Sequence, residues 1–395
     1  MGWMAGPPAG IPKAALDGLI PMTRIAKIRI EGWKSLAQME LPLELGPINV
    51  VIGANGSGKS NLVSFFKLLG ELAIERLQEY IGRSGGADSV LHYGSKVTPE
   101  IAAALEIDTA KGVCTYAIRL AYAATDSFTF SGESLDLRDV QSGVVRDWGA
   151  IFVPGQKESR LNREAEYDRT GVPQIILDHL IRSRIYHLHD TSAMARIRQA
   201  GYIEANQALD PDGGNLAAML YLYQQTRPLI YRRIVSTIRK IMPMFDDFVL
   251  GPQRLNPKNI LLNWKKRGSD YLFGPHQLSD GSLRAMALIA LFLQPAEDLP
   301  ALIVVDEPEL GLHPLAIEII AGLMRAASLE TQVILTTQST TLLDHFEPEE
   351  IVVVDDHRGH SVFRRLDAET LGDWLEDYSV GQLWQRNVFG GGPLA

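Results

Sequence analysis

Cysteine is almost absent: Cys114 stands alone among 395 residues. A lone thiol excludes an intrachain disulfide framework and a cysteine-built metal site, and it points to a reducing compartment. Its nearly alternating surroundings read as a buried strand, where an unpaired cysteine behaves as a small apolar side chain. Long apolar runs are missing too. No stretch reaches the roughly 20 residues that a membrane-spanning helix needs, and Met1 to Gly10 lacks the basic segment and apolar core of a signal peptide. A cytoplasmic protein with no membrane span is expected. Positive charge is in short supply as well. A formal net charge of −9 gives no whole-surface attraction to nucleic acid, so any such contact needs a local basic patch. There is no sustained heptad repeat, which excludes a long coiled-coil arm.

What is present is organised around Gly53-Ala54-Asn55-Gly56-Ser57-Gly58-Lys59-Ser60, between the apolar run Ile48 to Ile52 and the helix-like segment Leu62 to Leu69. Strand, glycine-rich loop and helix in that order form a phosphate cradle. Its glycines let successive backbone N–H groups converge on an anion, Lys59 reaches toward the β- and γ-phosphates of a nucleotide, and the Ser60 hydroxyl can ligate Mg²⁺. Asn61, just inside the helix, completes the nucleotide-contacting set.

Taken in order, the chain opens with a Pro- and Gly-rich leader over residues 1–22. Residues 23–171 form a P-loop half with a β lobe: Arg24 to Glu31 reads as a strand and Met39 to Leu45 as a second one interrupted by Pro42. Short antiparallel strands follow at Ile101 to Asp108, Cys114 to Tyr122 and Phe128 to Phe130. Trp33 and Lys34, in the turn after the first strand, can either approach base or phosphate or pack on the sheet. Residues 172–270 read as a mainly helical insertion, with one helix starting at Val172-Pro173 and a longer one over Asn215 to Lys240 despite Pro228. Arg182, Arg184, Arg196, Arg198, Arg227, Arg232, Arg233, Arg239 and Lys240 lie there. Solvated, internally paired helix faces and a nucleic-acid or partner surface are both open readings.

Residues 271–395 carry the second block. Leu278-Ser279-Asp280-Gly281-Ser282 precedes an apolar helix, and Ala301 to Val305 reads as a buried strand ending in Asp306 and Glu307. With the P-loop upstream, Asp306 is placed to hold Mg²⁺ and Glu307 to polarise the attacking water or take its proton. A further strand, Gln332 to Thr336, leads to Gln338, whose amide can sense a γ-phosphate or simply finish the strand. Strands beside helices predict an α/β fold with a mostly parallel core.

These blocks resemble the RecF/SMC-like branch of ABC-type ATPases, especially the compact bacterial ATPases called AAA-family without being AAA+ machines. The resemblance covers roughly residues 23–354, and the segment Leu371 to Gly391 is similar to a tail found in such proteins. It implies a P-loop ABC-type nucleotide-binding core carrying the antiparallel β lobe and the helical insertion. Gly53 to Ser60 then corresponds to Walker A, Ala301 to Glu307 to Walker B, and Leu278 to Ser282 to the ABC signature. Asp280 and Ser282 depart from the commonest signature, leaving Ser279 and Gly281 as the expected contacts to a second subunit's nucleotide. Gln338 stands where many relatives have histidine. The turn Pro308 to Pro314 resembles the segment that crosses paired sites, with His313 helping the turn rather than acting as base. A Q-loop at Gln156 is a weaker match.

The resemblance further implies Mg²⁺-dependent hydrolysis of ATP to ADP and phosphate in a homodimer, because one chain carries one set of motifs. The expected output is an ATP-gated switch acting on DNA or on an effector protein, in repair or bacterial antiviral defence. The alternatives are a non-hydrolysing or slow nucleotide-dependent scaffold and, less in keeping with the missing membrane span, a transporter ATPase subunit.

Overall fold

The computed structural model describes residues 23–138, 145–372 and 374–392. The expected leader, residues 1–22, lies outside them.

The architecture follows from four apolar runs that each bury both faces: Ile48–Ile52, Leu302–Asp306, Gln332–Thr337 and Ile351–His357. Runs of this kind suit a parallel sheet covered on both sides. Together with Ser183–Tyr186 and the edge strand His360–Arg365 they make a six-stranded sheet. Its order is His360–Arg365, Ile351–His357, Ile48–Ile52, Gln332–Thr337, Leu302–Asp306, Ser183–Tyr186, and only the first pair is antiparallel. Because side chains alternate along a strand, the sheet divides two cores. Val50, Ile303, Val305 and Leu335 face one; Val51, Leu302, Val304 and Ile334 face the other.

The second core is closed by the helix Lys59–Ala73 and by an all-antiparallel β lobe. That lobe runs Leu36–Gln38, Arg24–Trp33, Glu100–Thr109, Gly112–Ala123, Ser127–Arg138, Val145–Ala150, with Leu43–Glu44 also paired to Arg24–Trp33. Cys114 is fully buried in it, as its alternating context predicts. The first core is closed by Leu216–Thr226, Pro228–Ile241 and the almost wholly apolar helix Asp280–Phe292. Sheet core and helical additions give the mixed α/β architecture expected of an ABC-type ATPase. Among the described residues, no helix is long and apolar enough to cross a membrane.

Several local expectations are corrected. Met39 to Leu45 is not one strand: Leu36–Gln38 and Leu43–Glu44 pair separately with Arg24–Trp33, and Pro42, with no N–H to give a ladder, falls between them. Asn215 to Lys240 is two helices. They meet at Arg227, whose φ of −137° is non-helical because the following Pro228 crowds the helical conformation there. Within the region read as mainly helical, Ser183–Tyr186 is a strand of the core sheet, parallel to Leu302–Asp306. Four residues carry too little periodicity to reveal this, and only the long-range pairing defines it.

The basic set is mostly spent within the chain. Arg196 pairs with Asp210 and Asp212, Arg227 with Glu297 and Asp298, and Arg239 with Asp246. Arg182 and Arg184 donate to backbone carbonyls. Arg198 is buried and ties the carbonyls of Thr191, Pro275 and Leu278 to the Asp280 carboxylate. Arg232, Arg233 and Lys240 remain exposed on the helix Pro228–Ile241.

Candidate functional site

The carboxyl ends of three neighbouring parallel strands meet at one edge of the core sheet: Ile48–Ile52, Gln332–Thr337 and Leu302–Asp306. This is where an open α/β sheet presents ligand-binding loops. The glycine-rich loop leaves the first strand and enters the helix Lys59–Ala73 through Gly58 at φ 108°. A β-carbon at Gly58 would collide with the Ser361 and Ser35 hydroxyls, so the left-handed backbone and the close approach both require glycine. Those hydroxyls brace the loop from outside: Ser35 and Ser361 are 2.6 Å apart, and Ser361 Oγ donates to the Ser57 carbonyl at 2.6 Å.

Lys59 is buried at the start of the helix and its ammonium donates to the carbonyls of Gly53 and Ala54 at 2.5 and 2.9 Å. Burial lowers its pKa, and Glu307, Asp306 and Glu309 pull it back up. Opposite, Gln338 Nε2 donates to Glu307 Oε1 at 2.8 Å and to Asn55 Oδ1 at 2.7 Å, linking the glycine-rich loop and the acidic strand end. A cavity of about 140 Å³ opens here, lined by Asn55, Gly56, Gly58, Lys59, Ser60 and Asn61 on one side and by Glu307 and Gln338 on the other. Glu307 has a positive φ of 42°, held by its N–H bonded to the Thr336 carbonyl at 2.9 Å. Glu309 lies deeper, accepting from Thr337 Oγ1 at 2.6 Å, and burial raises its pKa.

Asp306 ends the neighbouring strand. Thr336 Oγ1 donates to its Oδ1, while Oδ2 faces His187 Nδ1 at 3.8 Å and His189 Nε2 at 3.6 Å. Burial pushes the Asp306 carboxyl up, but the His189 and Thr336 contacts outweigh it and hold the carboxyl below its ordinary range. His187 is lowered, by burial first. His189 is raised, chiefly by Asp306. Sequence reasoning missed both histidines. Their signal is a His-X-His spacing after the apolar Ile185-Tyr186, which on extended backbone puts both imidazoles on one side.

Lys59, Ser60, Asn55, Gln338 and Glu307 are thus brought together. The cavity lining contains neither Ser279 nor Gly281. Ser279 is exposed and caps the helix Asp280–Phe292, its hydroxyl accepting from Ser282 N at 3.2 Å. Gly281 is packed against Gly311 of the same chain, in the turn after Glu307. Arg284, one turn further along, donates to the carbonyls of Leu188, His189 and Leu310, each at 2.7 Å. It joins the helix Asp280–Phe292, the histidine segment and the turn after Glu307. His313 caps the helix Pro314–Ala327 through Nδ1, in keeping with a turn role. Trp33 is core, packed edge-on to Phe65 with its Nε1 on the Asn61 carbonyl, and Lys34 bonds Ser64 Oγ at 3.1 Å. Gln156 is bonded to Glu133 in the β lobe and is absent from the cavity lining.

Comparison with known proteins agrees with this geometry at the level of fold. A family model described as "AAA domain, putative AbiEii toxin, Type IV TA system" matches residues 163–344. No curated protein matches the chain. Among solved structures, an SMC head bound to the C-terminal winged-helix domain of ScpA superposes with a TM-score of 0.56 at 17% identity, covering 89% of this chain and 99% of that one. An SMC head with an extended coiled coil, bound to the C-terminal domain of ScpA and derived from Pyrococcus furiosus, gives 0.52 at 16% identity over 90% and 99%. A third, with a coiled coil and joint, from Pyrococcus yayanosii, gives 0.53 at 12% identity over 90% and 99%. The chain therefore has the fold of SMC head domains.

Proposed function

We propose that the protein binds ATP with Mg²⁺ and hydrolyses it slowly to ADP and phosphate, and that ATP occupancy switches a homodimer controlling DNA or an effector protein. The observation that carries this is the convergence of Lys59, Ser60, Glu307 and Gln338 on one cavity at the carboxyl edge of the sheet. Gly53 to Asn61 cradle the phosphates. Ser60 and Asp306 would hold Mg²⁺, which neutralises charge on the phosphate oxygens. Lys59 exchanges its loop carbonyls for the β- and γ-phosphates and stabilises the charge that develops as the terminal P–O bond breaks. Glu307 takes a proton from the attacking water, and Gln338 holds the Glu307 carboxylate and Asn55 in place around the γ-phosphate.

Ser279 is exposed outside the cavity lining, which supports a signature supplied across a two-fold by a second subunit. Two of the SMC heads with this fold are bound to a ScpA domain, which supports an effector protein here, and the matched family model's name supports a defence role. The hydrogen bond from Gln338 to Glu307 favours a second reading, a nucleotide-dependent scaffold with very slow turnover. Nucleotide affinity and phosphate release, measured separately for the wild type and Glu307→Gln, decide between them. ATP-dependent phosphate release that Glu307→Gln lowers supports the hydrolase, and binding without release supports the scaffold. No detectable ATP binding by the wild type overturns both.

A further inference from the structure

Outside the cavity lining, the described residues contain one group of side chains arranged for a metal: His187, His189 and Asp306, whose ligand atoms all lie within 4.8 Å of one another. The fold builds it from two adjacent parallel strands. Tyr186 is in register with Val305, so the next step along each strand sets His187 beside Asp306. His189, two residues on, returns to the same side, and its carbonyl is pinned by buried Arg284.

We propose that His187, His189 and Asp306 form a binding site for a first-row transition-metal dication, of the Mn²⁺ to Zn²⁺ series, that is competent without nucleotide. Imidazole nitrogens favour these ions, whereas Mg²⁺ prefers an oxygen shell. The separations of 3.6 and 3.8 Å from Asp306 Oδ2 are close to the spacing of neighbouring ligands about an ion held at roughly 2.0–2.2 Å from each, and with all three ligand atoms within 4.8 Å of one another, rotation of the two imidazoles closes the site. Thr336 occupies Oδ1 and leaves Oδ2 for the metal, the outer hydrogen bond that orients a carboxylate ligand. The three side chains are 43%, 34% and 18% exposed, so an ion has an open path.

Three cations flank the site and oppose an ion: Lys67 near His187, Arg284 near His189, and Lys59 near Asp306. Arg284 spends its donors on three carbonyls and Lys59 on two, so neither closes an ion pair across the site. The rival arrangement is a metal-free imidazole–carboxylate pair, which would bind no stoichiometric ion.

The site shares Asp306 with the proposed Mg²⁺ position, but the test needs no nucleotide. Co²⁺ is titrated into the wild type, His187→Ala, His189→Ala and the double variant, in excess Mg²⁺, and followed by visible absorption and calorimetry. His357→Ala, at the exposed end of the strand Ile351–His357, is the control for casual surface binding. One equivalent is expected in the wild type and control. Each single variant should bind at least about tenfold more weakly, the loss seen even when a ligand's outer partner is removed. Melting curves confirm that the variants fold, and Zn²⁺-induced shifts of imidazole C–H resonances in the wild type give a second readout. Co²⁺ uptake by the wild type no tighter than by the double variant overturns the site. ATP binding measured in parallel separates the two readings, since loss of one result leaves the other standing.

Discussion

Gly281, in the first turn of the helix Asp280–Phe292, packs so closely on Gly311 that a β-carbon at Gly281 would overlap the Gly311 carbonyl oxygen. The glycine expected to admit a second subunit is already used within its own chain. Gly281→Ala should therefore destabilise the isolated protein, by about 1–3 kcal/mol as overpacking does. Urea denaturation without nucleotide measures it, and an unchanged midpoint would show that the turn yields freely.

The same packing makes Gly281 a poor probe of dimerisation, and exposed Ser279 a better one. Ser279→Asp keeps a good helix cap while adding charge that repels a partner subunit's phosphates. In a Glu307→Gln background, Mg²⁺-ATP is expected to shift sedimentation from monomer to dimer, and Ser279→Asp to abolish the shift without changing the melting curve. Persistent ATP-bound monomer in the Glu307→Gln protein sinks the homodimer, unless an obligatory partner assembles it.

Lys59→Ala should weaken ATP binding by about tenfold or more, because the buried ammonium proposed to meet the phosphates is lost. Glu307→Gln should retain binding yet slow phosphate release by about a hundredfold, the lower range for removing a general base. Wild-type turnover from Glu307→Gln under saturating ATP would remove Glu307 from that role.

Since most arginines of that basic set are paired internally, Arg232, Arg233 and Lys240 on Pro228–Ile241 are its members left exposed to meet nucleic acid. If DNA is the target, Arg232→Ala with Arg233→Ala should weaken it with ATP binding intact, and reduce the salt slope by about two. If an effector is the target, ATP-dependent assembly persists without DNA. Equal binding of every DNA form and every copurifying protein in all nucleotide states counts against an ATP-controlled output.

His179, buried on the helix Val172–Arg182, has its pKa lowered to about 4, by burial first and then by Arg182. The folded state thus holds the imidazole neutral while the unfolded chain protonates near 6.5. Stability is whole above about pH 6.5, falls as pH drops toward 4 and levels off below it, by on the order of 3 kcal/mol. His179→Leu should flatten that window of the stability–pH curve. A curve of unchanged slope would assign the acid limb to other groups.

The local chemistry was legible because it is written in contiguous residues. The P-loop needs glycines, a lysine and a hydroxyl at set spacing, and the acidic strand end follows an apolar run, so Gly53 to Asn61, Asp306 and Glu307 could be marked without a fold. The β lobe announced itself by alternation, and Cys114 was placed by the same pattern. Trp33 could not be decided between base and core, because an aromatic side chain serves either; packing on Phe65 and Asn61 decided it. Arg198 and Arg196 looked like surface charge until Asp280, Asp210 and Asp212 were brought to them, and charge pairing across a fold leaves no mark in one-dimensional spacing. Ser183–Tyr186 was too short to show a period. It is a strand only because Leu302–Asp306 lies beside it, and that pairing alone sets His187 and His189 against Asp306, 117 residues away in sequence from the nearer of them. The sequence determined which residues stand together in the glycine-rich loop, since that grouping is made by neighbours along the chain. The tertiary structure decided what surrounds the acidic strand end and where the signature rests, since those contacts exist only when distant strands and turns share a sheet edge.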